Sequence, residues 1–324
     1  MYLSIIQTII VLLLGGVWRH VKSHTNSIGV KGFLNREFTE SLKGVAILLV
    51  VLHHMSINTG TRIYSFLGGL GVAIFLILSG FGLSESYKKR GLTNFWTNRF
   101  VRVVIPYWMT LFIFDLWNQQ PQRFVANLLC LGDIHWFVQY VVVLYIIFYF
   151  TYKFCHKWRY IILSVLAFSS LIYCPCLQAE QAFSFLVGIL ISENKNYFEK
   201  NRRVLVIGAF ILGFLFLALK QIEFIRMRVD TTAWNVVNLL NKFPLAFAFI
   251  MIGDLFSKNG YFSFCGKISW EMYLIHCSLL GYFTMYWGYF GAKSVGTSLI
   301  YFLICISVSY SFHIINSAIV YRRK

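Results

Sequence analysis

Charge is what this sequence has least of: Asp and Glu number 12 in 324 residues, and charged side chains of either sign make up only 13%. That is too little to clothe a soluble domain in a solvated shell. Metal and redox signatures are also missing. The seven cysteines show no Cys-x-x-Cys or Cys/His ligand spacing and read as small apolar fillers, and Cys174 and Cys176, two apart, rarely satisfy disulfide geometry. No metal is expected. The first apolar run has neither a basic leader nor a small-residue cleavage site, so an anchoring helix is expected there rather than a cleaved signal peptide. Internal repeats, low-complexity tracts and soluble linkers are absent as well.

What is present is apolar: 58% hydrophobic and 19% aromatic residues, for which lipid is the solvent. At roughly 20 residues per crossing plus a short loop, the chain holds about ten to twelve membrane helices. Apolar runs fall near residues 2–18, 43–58, 67–84, 103–118, 135–152, 160–176, 181–193, 204–219, 243–257, 269–288 and 298–320. The expected fold is therefore all-α, a polytopic transmembrane bundle of about eleven helices. The 181–193 run is short for a full crossing and fits a tilted or partly re-entrant helix.

The formal charge of +17 does not point to nucleic acid, which requires basic residues gathered on one surface. Here they alternate between loops. One alternate set of loops holds 21 Lys and Arg and the other 7, with Lys43 at a helix start completing the 29. By the positive-inside rule the rich set is cytoplasmic, which puts the N-terminus outside and the C-terminus inside. The longest outer loop is expected at 220–242, with Glu223, Arg226, Arg228, Asp230 and Trp234, either an ordinary solvated loop or a rim for an extracellular acceptor.

Ionisable groups at membrane depth are costly and mark function by default. At about 1.5 Å rise per residue, His54 lies about 16 Å above Lys43 and His276 about 13 Å above Lys267, while Ser79 and His313 are each about 13 Å from the cytoplasmic end of their helices. These four share one layer. Lys43 and His54 are eleven residues apart, close to three helical turns, so a cation at the inner mouth and a deep imidazole share one face. A donor with a phosphate-rich head and a reactive end fits between them. Arg99 and Arg102, three apart, form one two-pronged face if helical, suited to phosphate, although cytoplasmic retention explains basic loops equally well. A structural role between helices suits His313.

Four segments, L-K-G-V-A-I-L-L-V-V-L-H-H-M from Leu42, F-L-I-L-S-G-F from Phe75, Arg99-x-x-Arg102 with Pro106-Tyr107, and K-I-S-W-E-M-Y-L-I-H from Lys267, resemble in order and spacing the successive motifs of the acyltransferase-3 family. The resemblance spans roughly residues 38–320, within a membrane domain at 38–324 that follows an anchor and basic linker at 1–37. It implies a ten-helix domain of the cell membrane that moves an acyl group, most often acetyl from acetyl-CoA, to a hydroxyl of a cell-surface polysaccharide or lipid-linked glycan. It also implies that His54 is catalytic, that Arg99 and Arg102 bind acyl-CoA, and that Lys43 takes the place of the family's usual Arg. His276 matches the late family histidine. Lys43 lacks the planar fork of Arg, and of the adjacent pair His53-His54 only one can face the site.

The chemistry is coherent on its own terms. A neutral imidazole is a suitable general base for a sugar hydroxyl. Ser79, His276 or a backbone N–H would donate to the oxyanion, and an alternative makes His54 a covalent acyl carrier. Two other classes compete: a transporter or flippase for lipid-linked sugars with histidine proton relays, and a bis-histidine haem protein. Neither the acyl group, the acceptor sugar nor the oligomeric state is legible in the sequence.

Overall fold

The computed structural model describes residues 33–58, 64–115, 121–132, 135–229, 231–257, 259–287 and 295–321. The anchor helix expected at 2–18 lies outside them. Among the described residues every regular element is helical. We number the main helices α1 (Arg36–Asn58), α2 (Ser65–Arg90), α3 (95–115), α4 (Pro121–Leu128), α5 (Trp136–Phe154), α6 (Arg159–Tyr173), α7 (Ser184–Glu193), α8 (Arg202–Leu219), α9 (Thr232–Met251), α10 (Gly260–Lys267), α11 (Ser269–Trp287) and α12 (Val295–Tyr321). Among the described residues five helical stretches are long and apolar enough to cross a membrane: Arg36–Ile57, Phe66–Arg90, Trp136–Phe154, Arg202–Leu219 and Gly296–Ile319. The other described apolar runs are helical but shorter or more polar, so eleven crossings remain an expectation.

Lipid tails are as apolar as leucine, so helices in a bilayer associate through close packing rather than water exclusion. Glycine supplies that closeness here at two seams. Where α1 meets α10, a Cβ on Gly44 would run into the Phe262 carbonyl and one on Gly266 into the Glu40 carbonyl. Where α2 meets α7, Gly80 stands against the Phe185 carbonyl and Gly188 against that of Ile77. The two seams hold α1 and α2, the helices of His54 and Ser79, in fixed register. One end of the second seam is latched by Glu85, which accepts from Lys195 Nζ at 2.7 Å, Ser192 Oγ at 2.8 Å and Lys88 Nζ at 2.9 Å.

Two segments differ from the sequence expectation. The third run is one continuous helical path, 95–115, in which Phe100–Val104 and Leu111–Asp115 are wound as π-helix. Pro106 follows the first wide turn; without an N–H, and crowding the carbonyl four residues back, it disfavours a regular α-turn there. The wide turn also separates the two arginines expected on one face: Arg99 is half-buried and Arg102 exposed. The second difference is the loop expected at 220–242, whose second half, from Thr232, is helix. Thr231 caps α9 by accepting from the Trp234 N–H, and the polar Asn235, Asn238, Asn241 and Lys242 that made the segment look like a loop are buried inside the protein.

Candidate active site

His54 and His276 meet across the α1–α11 interface. His54 Nδ1 lies 2.9 Å from the Val50 carbonyl, one turn back on its own helix, and 3.2 Å from His276 Nε2. A carbonyl only accepts, so Nδ1 carries the ring proton and Nε2 of a neutral His54 keeps a free lone pair. The same logic fixes His276, whose Nδ1 is 2.7 Å from the Tyr273 carbonyl and 3.0 Å from that of Met272. Its Nε2 is therefore the acceptor facing His54. The Tyr301 hydroxyl on α12 donates to the His276 carbonyl at 2.8 Å, tying α11 from its far side. His276 is fully enclosed, while His54 is half-buried. His53 turns toward α2, where Gly68 leaves room for its ring, and meets the His54 ring edge-on with centroids 4.7 Å apart.

Cys277, which sequence spacing gave no role, places Sγ 3.3 Å from His276 Nε2. The donor atoms of His54, His276 and Cys277 all lie within 4.8 Å of one another. Folding thus assembles a Cys/His cluster from positions 222 residues apart that no linear motif announces. The Val50 carbonyl requires a hydrogen on His54 Nδ1, which competes with a metal at that nitrogen.

The basic residues form a second group. Lys43 feels the charges of both Arg99 and Arg102. The Arg99 guanidinium sits over the rings of Tyr145 and Phe95, 5.4 and 5.9 Å from their centroids, and lines a cavity of about 520 Å³ with Trp96, Phe100, Val142 and Tyr145. Its Nε is buried without a hydrogen-bond partner among the described residues. A buried unpaired donor on a cation is costly, and an anion in the cavity relieves that cost. Ser79 Oγ stands 3.5 Å from the hydroxyl of Tyr145, which lines that cavity.

His313 belongs to neither group. Its Nδ1 is 3.0 Å from Glu271, which also accepts from Asn316 at 3.1 Å, and the three clamp α11 to α12. A further polar cluster escaped the sequence reading altogether: Glu180 and Lys242 form a buried ion pair, Gln181 Nε2 donates to the Gly69 carbonyl at 3.0 Å, and Lys220 Nζ reaches Asn238 at 2.7 Å. Burial, and then the charge of Lys242, pull the Lys220 ammonium down to about 8. One signal was available, an acid, Glu180, followed at once by an apolar run in a chain with so few acids.

A bundle of apolar helices, several of them long enough to cross a membrane, defines a multi-pass membrane protein. The model of the acyltransferase domain of the acyltransferase-3 family matches residues 37–314, and the chain belongs to that family. No curated protein and no solved structure matches it.

Proposed function

We propose that this membrane acyltransferase moves an acyl group, acetyl in the simplest case, from cytoplasmic acyl-CoA to a hydroxyl of a cell-surface or lipid-linked glycan, with its N-terminus outside and C-terminus inside. The observation that carries the reading is the tautomer of His54. With Nδ1–H held between the Val50 carbonyl and His276, Nε2 is presented as a base. When Nε2 takes the hydroxyl proton, the imidazolium is stabilised by the His276 lone pair that Nδ1–H already faces. His276 then plays the orienting part that an acid plays in hydrolase triads.

The same tautomers sort the candidates for oxyanion stabilisation. Neutral His276 spends its only N–H on two backbone carbonyls, so it has none to offer a developing alkoxide. Ser79, in hydrogen-bond reach of Tyr145 beside the cavity, remains as the side-chain donor. The phosphates of the CoA head fit Arg99 at the cavity it lines, with Lys43 within the field of both Arg99 and Arg102.

Transfer of radiolabelled acetyl from acetyl-CoA to glycan by the purified full chain tests this. His54→Gln is expected to lower the rate by about 10²- to 10⁴-fold, the usual worth of a positioned general base. A His54→Gln protein that transfers acetyl at the wild-type rate overturns the assignment.

A further inference from the structure

We propose that Cys277 is an acyl-accepting nucleophile: the acyl group passes from the donor thioester to Cys277 Sγ with His276 as base, and from there to the acceptor hydroxyl activated by His54. The proposal rests on the acyl-transfer reading above and adds a covalent intermediate to it.

A nucleophile and its base within hydrogen-bond reach, with the base oriented by a third group, is the arrangement that covalent catalysis needs. Cys277 Sγ is 3.3 Å from His276 Nε2, and the Tyr273 and Met272 carbonyls hold the His276 ring with that nitrogen as acceptor. Of the seven cysteines Cys277 alone is exposed, so a substrate can reach it. His276 Nε2 has one lone pair and two hydrogen donors before it, Cys277 Sγ–H and His54 Nδ1–H. The second already has the Val50 carbonyl, so His276 can turn to the thiol without leaving His54 unpaired.

The steps balance. Cys277 Sγ–H gives its proton to His276 Nε2 as the sulfur attacks the donor carbonyl carbon. The new C–S bond forms, the bond to the CoA sulfur breaks, and that sulfur leaves with the proton from His276 as free CoA thiol. One thioester replaces another, so no energy source is required. In the second step the acceptor oxygen attacks the Cys277 thioester and gives its proton to His54 Nε2; the C–S bond breaks, and the departing Cys277 sulfur recovers that proton from the imidazolium. An acyl group held on a thiol inside the membrane lets a donor from one side and an acceptor from the other react in turn rather than together.

The test uses the purified full chain in lipid nanodiscs with radiolabelled acetyl-CoA and no glycan. Label is expected to survive denaturation, to be released by hydroxylamine at neutral pH, and to map to the peptide containing Cys277. Labelled CoA is expected to exchange into the acetyl-CoA pool. His54→Gln should keep label and exchange while losing transfer to glycan, whereas Cys277→Ala should lose all three. Cys277→Ser, compared with wild type for its thermal unfolding midpoint, separates loss of the thiol from loss of the fold. The proposal is overturned if Cys277→Ala exchanges and transfers at the wild-type rate, if label maps to His54 or elsewhere, or if wild type transfers acetyl with no exchange. The last three outcomes leave His54-dependent transfer standing, whereas a wild-type chain that neither exchanges nor transfers removes the acyl-transfer reading and this step together.

Discussion

At the scale of single residues, the proposed reading gives binding and chemistry to different side chains, and kinetics should separate them. His276 touches His54 and, on that reading, acts on a charge that exists only in the transition state. His276→Ala is therefore expected to lower kcat by about 10²-fold or more with the donor KM nearly unchanged. Arg99 lines the cavity and, on the same reading, meets the donor in both ground and transition state. Arg99→Ala is expected to raise the donor KM with kcat nearly unchanged, and steady-state rates at varied acetyl-CoA check both. Equal losses in kcat and KM from both variants would mean that the two groups of residues form one unit. Much of this site was legible before folding. Depth along apolar runs placed His54 and His276 in one layer, because rise per residue is fixed in a helix. Cys277 was not legible, since its meaning depends on a tautomer set by backbone carbonyls that no spacing encodes.

The elements carry the site because backbones approach closely at two seams. Gly80 and Gly188 place α2 against α7 with no room for a Cβ on either, so Gly188→Val forces the helices apart. The cost of such overpacking is about 1–3 kcal/mol, more where backbone blocks the way. The expected outcome is a lowered thermal unfolding midpoint in detergent, while Gly82→Ala, where a Cβ would meet nothing within 4 Å, should leave it unchanged. Apolar runs announced these helices well. They failed at α9, whose first eleven residues carry three Asn and a Lys, and at α3, where Pro106 and π-winding change the phase of Arg99 and Arg102. At α9 the burial of Lys242 against Glu180, distant in sequence, decided the structure against local pattern.

For the whole molecule, the alternation of basic loops predicts an odd number of crossings with the C-terminus in the cytoplasm. A C-terminal alkaline phosphatase fusion should be inactive and a C-terminal fluorescent-protein fusion bright; the reverse pattern would turn the molecule over and move the Lys43, Arg99 and Arg102 group away from cytoplasmic acyl-CoA. On the proposed reading, acyl groups enter from the inside past that group, react at the His54–His276 pair and leave on a glycan. Proton NMR of surface polysaccharide tests this most directly, in cells expressing the wild-type chain, no chain, or His54→Ala at matched level. Acetyl signals present with wild type and absent from both other samples are the expected result. Undiminished acetyl with His54→Ala, or glycan of unchanged composition lost from the surface as a flippase defect would give, contradicts it.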